Sequence, residues 1–302
     1  MLWTEKYRPN KIQDIIGQEH FVIDAQNWVE MNEMPNLLLY GNSGIGKTAG
    51  AIALSKSLLK EHFKENFFEI NASDDRRLET VRTTIKEIAQ SGKMGNVPFK
   101  IILLDEMDGM TNDSQNALKR IMERYESNVR FIITCNNKTR IIFALQSRCA
   151  NYHFKPLPFD LVSNVIQRVL SKEGHSLDIE EVEQFIYHFN GDIRRTLTEL
   201  QACVVSGTRL KIQMERTLKD YENVVNDILN KNTEKAIDRL HDSIYNGLSI
   251  QEICIGIHDY VIQCEMEAER KLKFLRVVGE GEYRATTMTP KLLASWIVAQ
   301  LI

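Results

Sequence analysis

The sequence predicts an α/β protein: an open parallel sheet flanked by helices, followed by an all-helical second half. Three observations predict it. Apolar, strand-like runs alternate with helix-period segments through the first half of the chain. Two of those runs, built on LLLY and IILL, are apolar throughout, as strands buried on both faces of a parallel sheet must be. Beyond Pro156 and Pro158 the β signals stop and only helical periodicity continues.

In chain order, strands are expected at 36–40, 67–70, 100–104, 129–134 and 151–154. Helices are expected between them at 47–60, 76–90 and 113–124. The helical part then reads LVSNVIQRVL (161–170), IEEVEQFIYHF (179–189) and DIRRTLTELQACVV (192–205). After a break at Ser206-Gly207 come segments 217–231, 233–246, 249–272 and 289–302. There is no internal repeat and no low-complexity segment.

Composition narrows the class without naming a function. The chain has 302 residues, is 43% hydrophobic and 26% charged, and holds only six prolines, as an ordinary folded protein does. Residues 1–20 lack an apolar run of signal-peptide type, and no segment has the apolar length to cross a bilayer. The five cysteines (135, 149, 203, 254 and 264) are scattered and odd in number, which argues for reduced thiols in an intracellular protein. A net charge of −3 leaves nucleic-acid binding to a local basic face.

The first strand runs into NLLLYGNSGIGKT, residues 36–48. A glycine-rich turn goes from Gly41 through Asn42, Ser43, Gly44 and Ile45 to Gly46, and Lys47, Thr48 and Ala49 open a helix. Glycine lets the backbone curl so that successive N–H groups face phosphate oxygens, and the following helix presents its positive end to the same anion. Lys47 is expected to reach the β- and γ-phosphates, and the Thr48 hydroxyl to ligate Mg²⁺. The alternative, a glycine-rich turn with an exposed lysine, does not account for the full spacing between strand and helix. This is a nucleoside triphosphate site.

The third strand, in FKIILLDEMD (99–108), ends in acids. Asp105 is placed to hold Mg²⁺ through water. Glu106 is placed to orient and deprotonate an attacking water, which would make the protein a hydrolase. An acid pair at a strand end can also be merely solvated. Asp108 reads as a supporting residue. The fourth strand, in VRFIITCNN (129–137), ends in asparagines; Asn136 is either a turn residue or a hydrogen-bond partner for the γ-phosphate or the water.

TEKYRP (4–9), IIGQEH (15–20), GNSGIGKT, NASDDR (71–76), the LLDEMD acids, CNN (135–137), SRC (147–149) and GDIRR (191–195) occur in that order. Together they closely resemble the small subunits of replication factor C, the AAA+ sliding-clamp loader of archaea, eukaryotes and some large DNA viruses. The resemblance is specific from about Leu2 to Val205 and weaker beyond. It implies an AAA+ ATPase domain (1–155), a small helical lid (156–208) and a helical collar (209–302) that joins subunits into a pentamer. It implies ATP and Mg²⁺ as cofactors, with a large subunit, further small-subunit copies, a ring-shaped clamp and primer–template DNA as partners, and no membrane. ATP binding would let the assembly grip and open the clamp; primed DNA would stimulate hydrolysis and release the closed ring. The implied location is the nucleus, the archaeal cytoplasm or a viral replication site.

Residue by residue, the resemblance places Tyr7, Arg8 and Ile16 beside the adenine. It makes Asn136 the first sensor and Arg194 the lid arginine that reaches the phosphates. It makes Arg148 an arginine finger acting in trans on the neighbouring subunit's ATP, and leaves Cys149 as a small core residue. The chain departs from the family where Asn42-Ser43 replace the usual proline pair, where Met107 interrupts the usual acid motif, and where Arg77 replaces the glycine after NASDDR. On helix 76–90, Arg82 and Lys86 lie off the stripe of Leu78, Val81, Ile85 and Ile88, with Arg76, Arg77 and Lys93 nearby; Arg120 and Arg124 repeat the spacing. These are either a solvated face or sequence-independent DNA phosphate contacts. Met110, Met122 and Tyr125 are candidates for clamp contact or for core.

Two rivals remain at this stage. A protein-remodelling AAA+ ATPase would need an aromatic pore loop, and the second strand leads instead into NASDDRRLETVR. A nucleotide-bound subunit without hydrolysis sits poorly with Lys47, Thr48, Asp105 and Glu106 all present.

Overall fold

The computed structural model describes the chain except residues 73–77, 178, 180–181, 184–185, 187–188, 190–191, 207–217, 246 and 286. It folds as two compact units, Met1–Leu210 and Lys211–Ile302.

In the first unit, five strands form one parallel sheet: β1 (Leu37–Tyr40), β2 (Phe67–Asn71), β3 (Lys100–Asp105), β4 (Val129–Cys135) and β5 (Ala150–His153). Their order is β2-β3-β4-β1-β5. Successive side chains on a strand face opposite sides, and the buried residues divide accordingly. Leu38, Ile102, Leu104, Phe131 and Ile133 join one apolar layer, completed by Ile85 and by Leu118 and Ile121 of the helix Asn112–Arg124. Leu37, Leu39, Ile101, Leu103 and Ile132 join the other, completed by Phe21 and Ala25 and by Ile52, Leu54 and Leu58. Strands apolar at every position are thus the ones with a helical layer on both sides.

Register positions the site. Tyr40 pairs with Cys135 and Leu104 with Ile133, so β1, β4 and β3 end side by side. Ligands of open α/β sheets bind beyond such carboxyl ends. The phosphate loop, Asn136 and the Asp105-Glu106 pair all follow directly from those three strands.

Strand positions agree with expectation to within a residue, as do most of the helices: Lys47–Leu59, Asn112–Arg124, Ile193–Ser206, Thr233–Tyr245 and Pro290–Leu301; the one expected at 217–231 ends two residues early, at Leu229. The helix expected at 161–170 is longer, Phe159–Lys172. Most of the segment expected at 179–189 lies outside the described residues, and of the helix expected from 76, Leu78–Gln90 is described. The expected 249–272 helix is instead two, Ile250–Gln263 and Ala268–Arg284, because the backbone turns extended at Cys264. No glycine or proline marks that break. Lys271 Nζ closes it by donating to the carbonyls of Ile262 (2.7 Å) and Cys264 (3.2 Å). The Glu19–Met31 helix, absent from the sequence reading, buries Phe21 and Ala25 under the sheet. Among the described residues no helix is long and apolar enough to cross a membrane.

The second unit buries its own core, in which Val225, Leu240, Ile253, Ile257, Phe274 and Ile297 interlock.

Candidate active site

Gly41 leaves β1 with φ of +142°, and a Cβ there would lie 2.2 Å from the Phe154 carbonyl. Gly44 has φ of +74°, and a Cβ there would lie 2.2 Å from the Asp192 carboxylate. Only glycine fits both positions. The second contact also packs the start of the helix Ile193–Ser206 against the loop: Asp192 caps that helix by accepting from the Arg195 N–H at 3.0 Å.

Lys47 is the centre of the arrangement. Its Nζ donates to the carbonyls of Gly41 (2.8 Å) and Asn42 (2.7 Å) and to Asn136 Oδ1 (2.9 Å). With 8% of its surface exposed, it carries a pKa below its usual 10.5. Burial is the main cause; Asp105, Cys135 and Asp108 oppose the shift, and Arg194 adds to it. A charge held this way in a partly dry site lacks a full counter-charge, which is what an incoming polyphosphate supplies.

Thr48 Oγ1 lies 3.1 Å from both Asp105 oxygens. Thr134 Oγ1 donates to Asp105 and accepts the Glu106 N–H at 3.2 Å. Thr134 was not anticipated; its signal was a lone hydroxyl in the buried run FIITC. Glu106, which lines the cavity, has φ of +57°, a conformation that residues other than glycine seldom adopt. Asp108 accepts the Asn136 N–H at 3.2 Å, so it supports the asparagine at the end of β4 rather than facing the cavity.

One cavity gathers most of the predicted residues. Its polar lining includes Lys47, Thr48, Asp105, Glu106, Thr134 and Asn136. Its apolar lining includes Ile15, Ile16, Leu157, Val165, Val169 and Leu197. Tyr7, Arg8, Ser43, Ile45 and Ala49 also line it, as do Arg194 of the helix Ile193–Ser206 and the unanticipated Arg168 of the helix Phe159–Lys172. Gly41 and Asn42 lie behind the wall and contribute carbonyls to Lys47. The Tyr7 hydroxyl donates to Glu173, which also pairs with Lys6 at 2.6 Å, and the Trp3 N–H donates to Gln201 Oε1 at 2.7 Å. The amino-terminal segment therefore ties down the helices Phe159–Lys172 and Ile193–Ser206 beside the cavity. The Thr48 hydroxyl and Asp105 carboxylate are hard oxygen donors side by side, a set that suits Mg²⁺.

Arg148 stands apart. It precedes β5, whose Ala150 pairs with Leu37 at the start of β1, whereas the phosphate loop follows the other end of β1. That is about 10 Å of strand at roughly 3.3 Å per residue. Its side chain is partly exposed, outside the cavity, beside the edge strand β5 of the sheet, and paired with Glu123. Cys149 beside it is buried, and burial pushes its thiol up to about 12.

For the proposed surface contacts, the outcome is mixed. Lys86 and Arg120 are exposed, Lys93 donates to the Pro98 carbonyl at 2.8 Å, and the Arg124 guanidinium lies 5.5 Å from the Tyr125 ring centre. Arg76 and Arg77 fall outside the described residues, as does the Arg82 side chain. Met110 and Met122 are core residues, 6% and 2% exposed, and so are not available for clamp contact. Tyr125 packs partly against the same core, and its hydroxyl accepts from Gln90 at 2.9 Å.

The profile of the ATPase family associated with various cellular activities matches residues 37–157, and that of the replication factor C C-terminal domain matches 217–293. A replication factor C small subunit of Methanococcus maripaludis is 36% identical over 293 residues, covering 93% of this chain and 92% of its own. The chain belongs to the replication factor C small-subunit family. Small subunits of Methanothermobacter thermautotrophicus and Archaeoglobus fulgidus are each 35% identical, over 93% and 94% of this family member. Among solved structures, the RuvB Holliday junction branch migration motor of Thermotoga maritima has a TM-score of 0.54 over 66% of this chain and 65% of its own, at 17% identity. That likeness shows the AAA+ fold alone.

Proposed function

We propose that this replication factor C small subunit binds Mg²⁺-ATP at the β1-β4-β3 edge and uses it in a clamp loader. In that assembly, ATP binding and hydrolysis drive opening of a ring-shaped sliding clamp and its loading onto primer–template DNA. The observation that carries the reading is the convergence of Lys47, Thr48, Asp105, Glu106 and Asn136 on one cavity that the lid residue Arg194 also lines.

Each residue has a task in this reading. The backbone of Gly41–Gly46 and the Lys47 ammonium hold the phosphates. Ile16, Val165 and Val169 supply an apolar bed for the adenine, with Tyr7 and Arg8 at its rim. Thr48 and Asp105 hold Mg²⁺, which neutralises developing charge on the phosphates when bound. Glu106 orients and deprotonates the attacking water. Asn136, held by Lys47 and Asp108, reports the γ-phosphate at the end of β4. Arg194 carries the same information to the lid, and Arg148 serves the next subunit's ATP.

On this view residues 1–155, 156–208 and 209–302 act as ATPase domain, lid and oligomerisation collar. Lys86 and Arg120, with Arg76, Arg77 and Arg82, grip DNA phosphates without reading sequence. Hydrolysis is Mg²⁺-dependent and stimulated by clamp and primed DNA. Reconstitution with a large subunit and a matching clamp tests the reading: ATP should load the clamp onto primed circular DNA. A complex that binds ATP yet never places the clamp on DNA would refute it.

A further inference from the structure

We infer that Glu123 is a positioning residue for Arg148, fixing the guanidinium so that its free N–H groups face outward from the subunit edge. The inference rests on the reading of Arg148 as a finger acting in trans and deepens it.

Two contacts hold the guanidinium. One terminal nitrogen donates to the Ala144 carbonyl at 2.8 Å, and the other donates to the Glu123 carboxylate. A guanidinium has five N–H donors in a fixed plane, so three remain for another partner, and the two contacts set the direction in which they point. Arg148 and Glu123 side chains are 34% and 45% exposed. Ion pairs that open to water contribute little to stability, so the pair is poorly explained as a fold-holding contact.

The two anchors belong to one block. Glu123 is in the last turn of the helix Asn112–Arg124, and Ala144 is in the short helix Phe143–Gln146. Gln115, fully buried, joins them: its amide nitrogen donates to the Arg140 carbonyl at 2.9 Å, and its oxygen accepts the Ile142 N–H at 2.8 Å. Leu118, Ile121 and Leu145 pack in the same core. The backbone of Glu123 is therefore set in a packed block, and its carboxylate restrains the long, rotamer-rich side chain of Arg148. Such a side chain left unrestrained would reach a neighbour's γ-phosphate in many geometries, few of them productive; misplacement of about 1 Å costs on the order of 100-fold in rate.

The test uses the assembled loader with every copy of this chain carrying the variant. Glu123→Ala should lower kcat roughly 10- to 100-fold. KM and own-site ATP affinity should stay within about twofold, because Glu123 is outside the cavity. Glu123→Gln should recover most of kcat, since its amide oxygen still accepts from the guanidinium. In an Arg148→Ala background, Glu123→Ala should cost nothing more. Full kcat in Glu123→Ala, with Arg148→Ala inactive, would overturn the positioning role and leave the finger reading intact. Full kcat in Arg148→Ala would overturn the finger reading, and this inference with it. A Glu123→Ala loss that persists unchanged without Arg148, or that falls on ATP affinity, would assign Glu123 a different role.

Discussion

Replacing Lys47 with methionine separates binding from folding. The Nζ sits among three acceptors at the mouth of the phosphate loop, and its pKa is held below the ordinary value by burial. A phosphate oxygen about 4 Å from that charge, at an effective dielectric of about 20, is attracted by about 4 kcal/mol. Lys47→Met should therefore raise the ATP Kd by roughly 1000-fold, at about 1.4 kcal/mol per tenfold. Stability should change far less. Removing a poorly compensated buried charge is favourable, and leaving Asn136 Oδ1 and two carbonyls without their donor is unfavourable, by about 1–3 kcal/mol each way. The sign with pH follows: a lysine whose folded pKa is depressed burdens the fold while charged, and the Lys47 contribution to stability becomes more favourable as pH rises through the folded value toward 10.5. Lys47→Met should lack that gain. Fluorescent-nucleotide titration gives Kd, and denaturant unfolding at pH 7 and pH 10 gives stability. A Kd within threefold of wild type, with stability reduced by more than 3 kcal/mol, would refute this account of Lys47.

Other expectations follow from the same geometry. Arg148→Ala should bind ATP normally in its own site yet lower hydrolysis in the assembled complex by about 10³-fold or more. Mixing it with Lys47→Met subunits should restore part of that activity, measurable by steady-state ATPase at varied subunit ratios. Burial pushes the Cys135 and Cys149 thiols up to about 12 and Cys254 to about 11. Disulfide-exchange reagents at pH 8 should therefore reach these three only after unfolding. Because these folded thiols keep their protons above the ordinary 9.0, the stability they contribute below pH 9 should fade as pH climbs toward 11, lowering the denaturant midpoint. Gln115→Leu should cost about 2–4 kcal/mol, seen as a lower melting temperature, because the Arg140 carbonyl and Ile142 N–H lose their buried partner.

The parts of the site that were legible in the sequence are those where backbone conformation or burial dictates residue type. Gly41 and Gly44 had to be glycine for steric reasons, and β1, β3 and β4 had to be apolar at nearly every position because helices cover both faces. The acids at the end of β3 and the asparagine after β4 then needed only a parallel sheet to meet at Lys47. What stayed hidden depended on contacts between distant segments. Thr134, Gln115, Glu123 and Glu173 are ordinary polar residues in the chain; their roles exist only once β4, the Asn112–Arg124 helix and the amino-terminal segment come together. The Met110 and Met122 ambiguity had the same source, since apolar residues just before a helix and on its stripe do not state which of them are covered. The break after Gln263 escaped notice because a lysine side chain, not a glycine, satisfies the last carbonyls.

The central claim is that this nucleotide site works within a clamp loader. Its most direct test is the steady-state ATPase of the complex assembled from this chain, a large subunit and a matching clamp, with and without primed DNA. The account predicts Mg²⁺-dependent hydrolysis that rises several-fold only when clamp and primed DNA are both present, and that disappears with Glu106→Gln. Hydrolysis equally fast with neither partner, or untouched by Glu106→Gln, would contradict it.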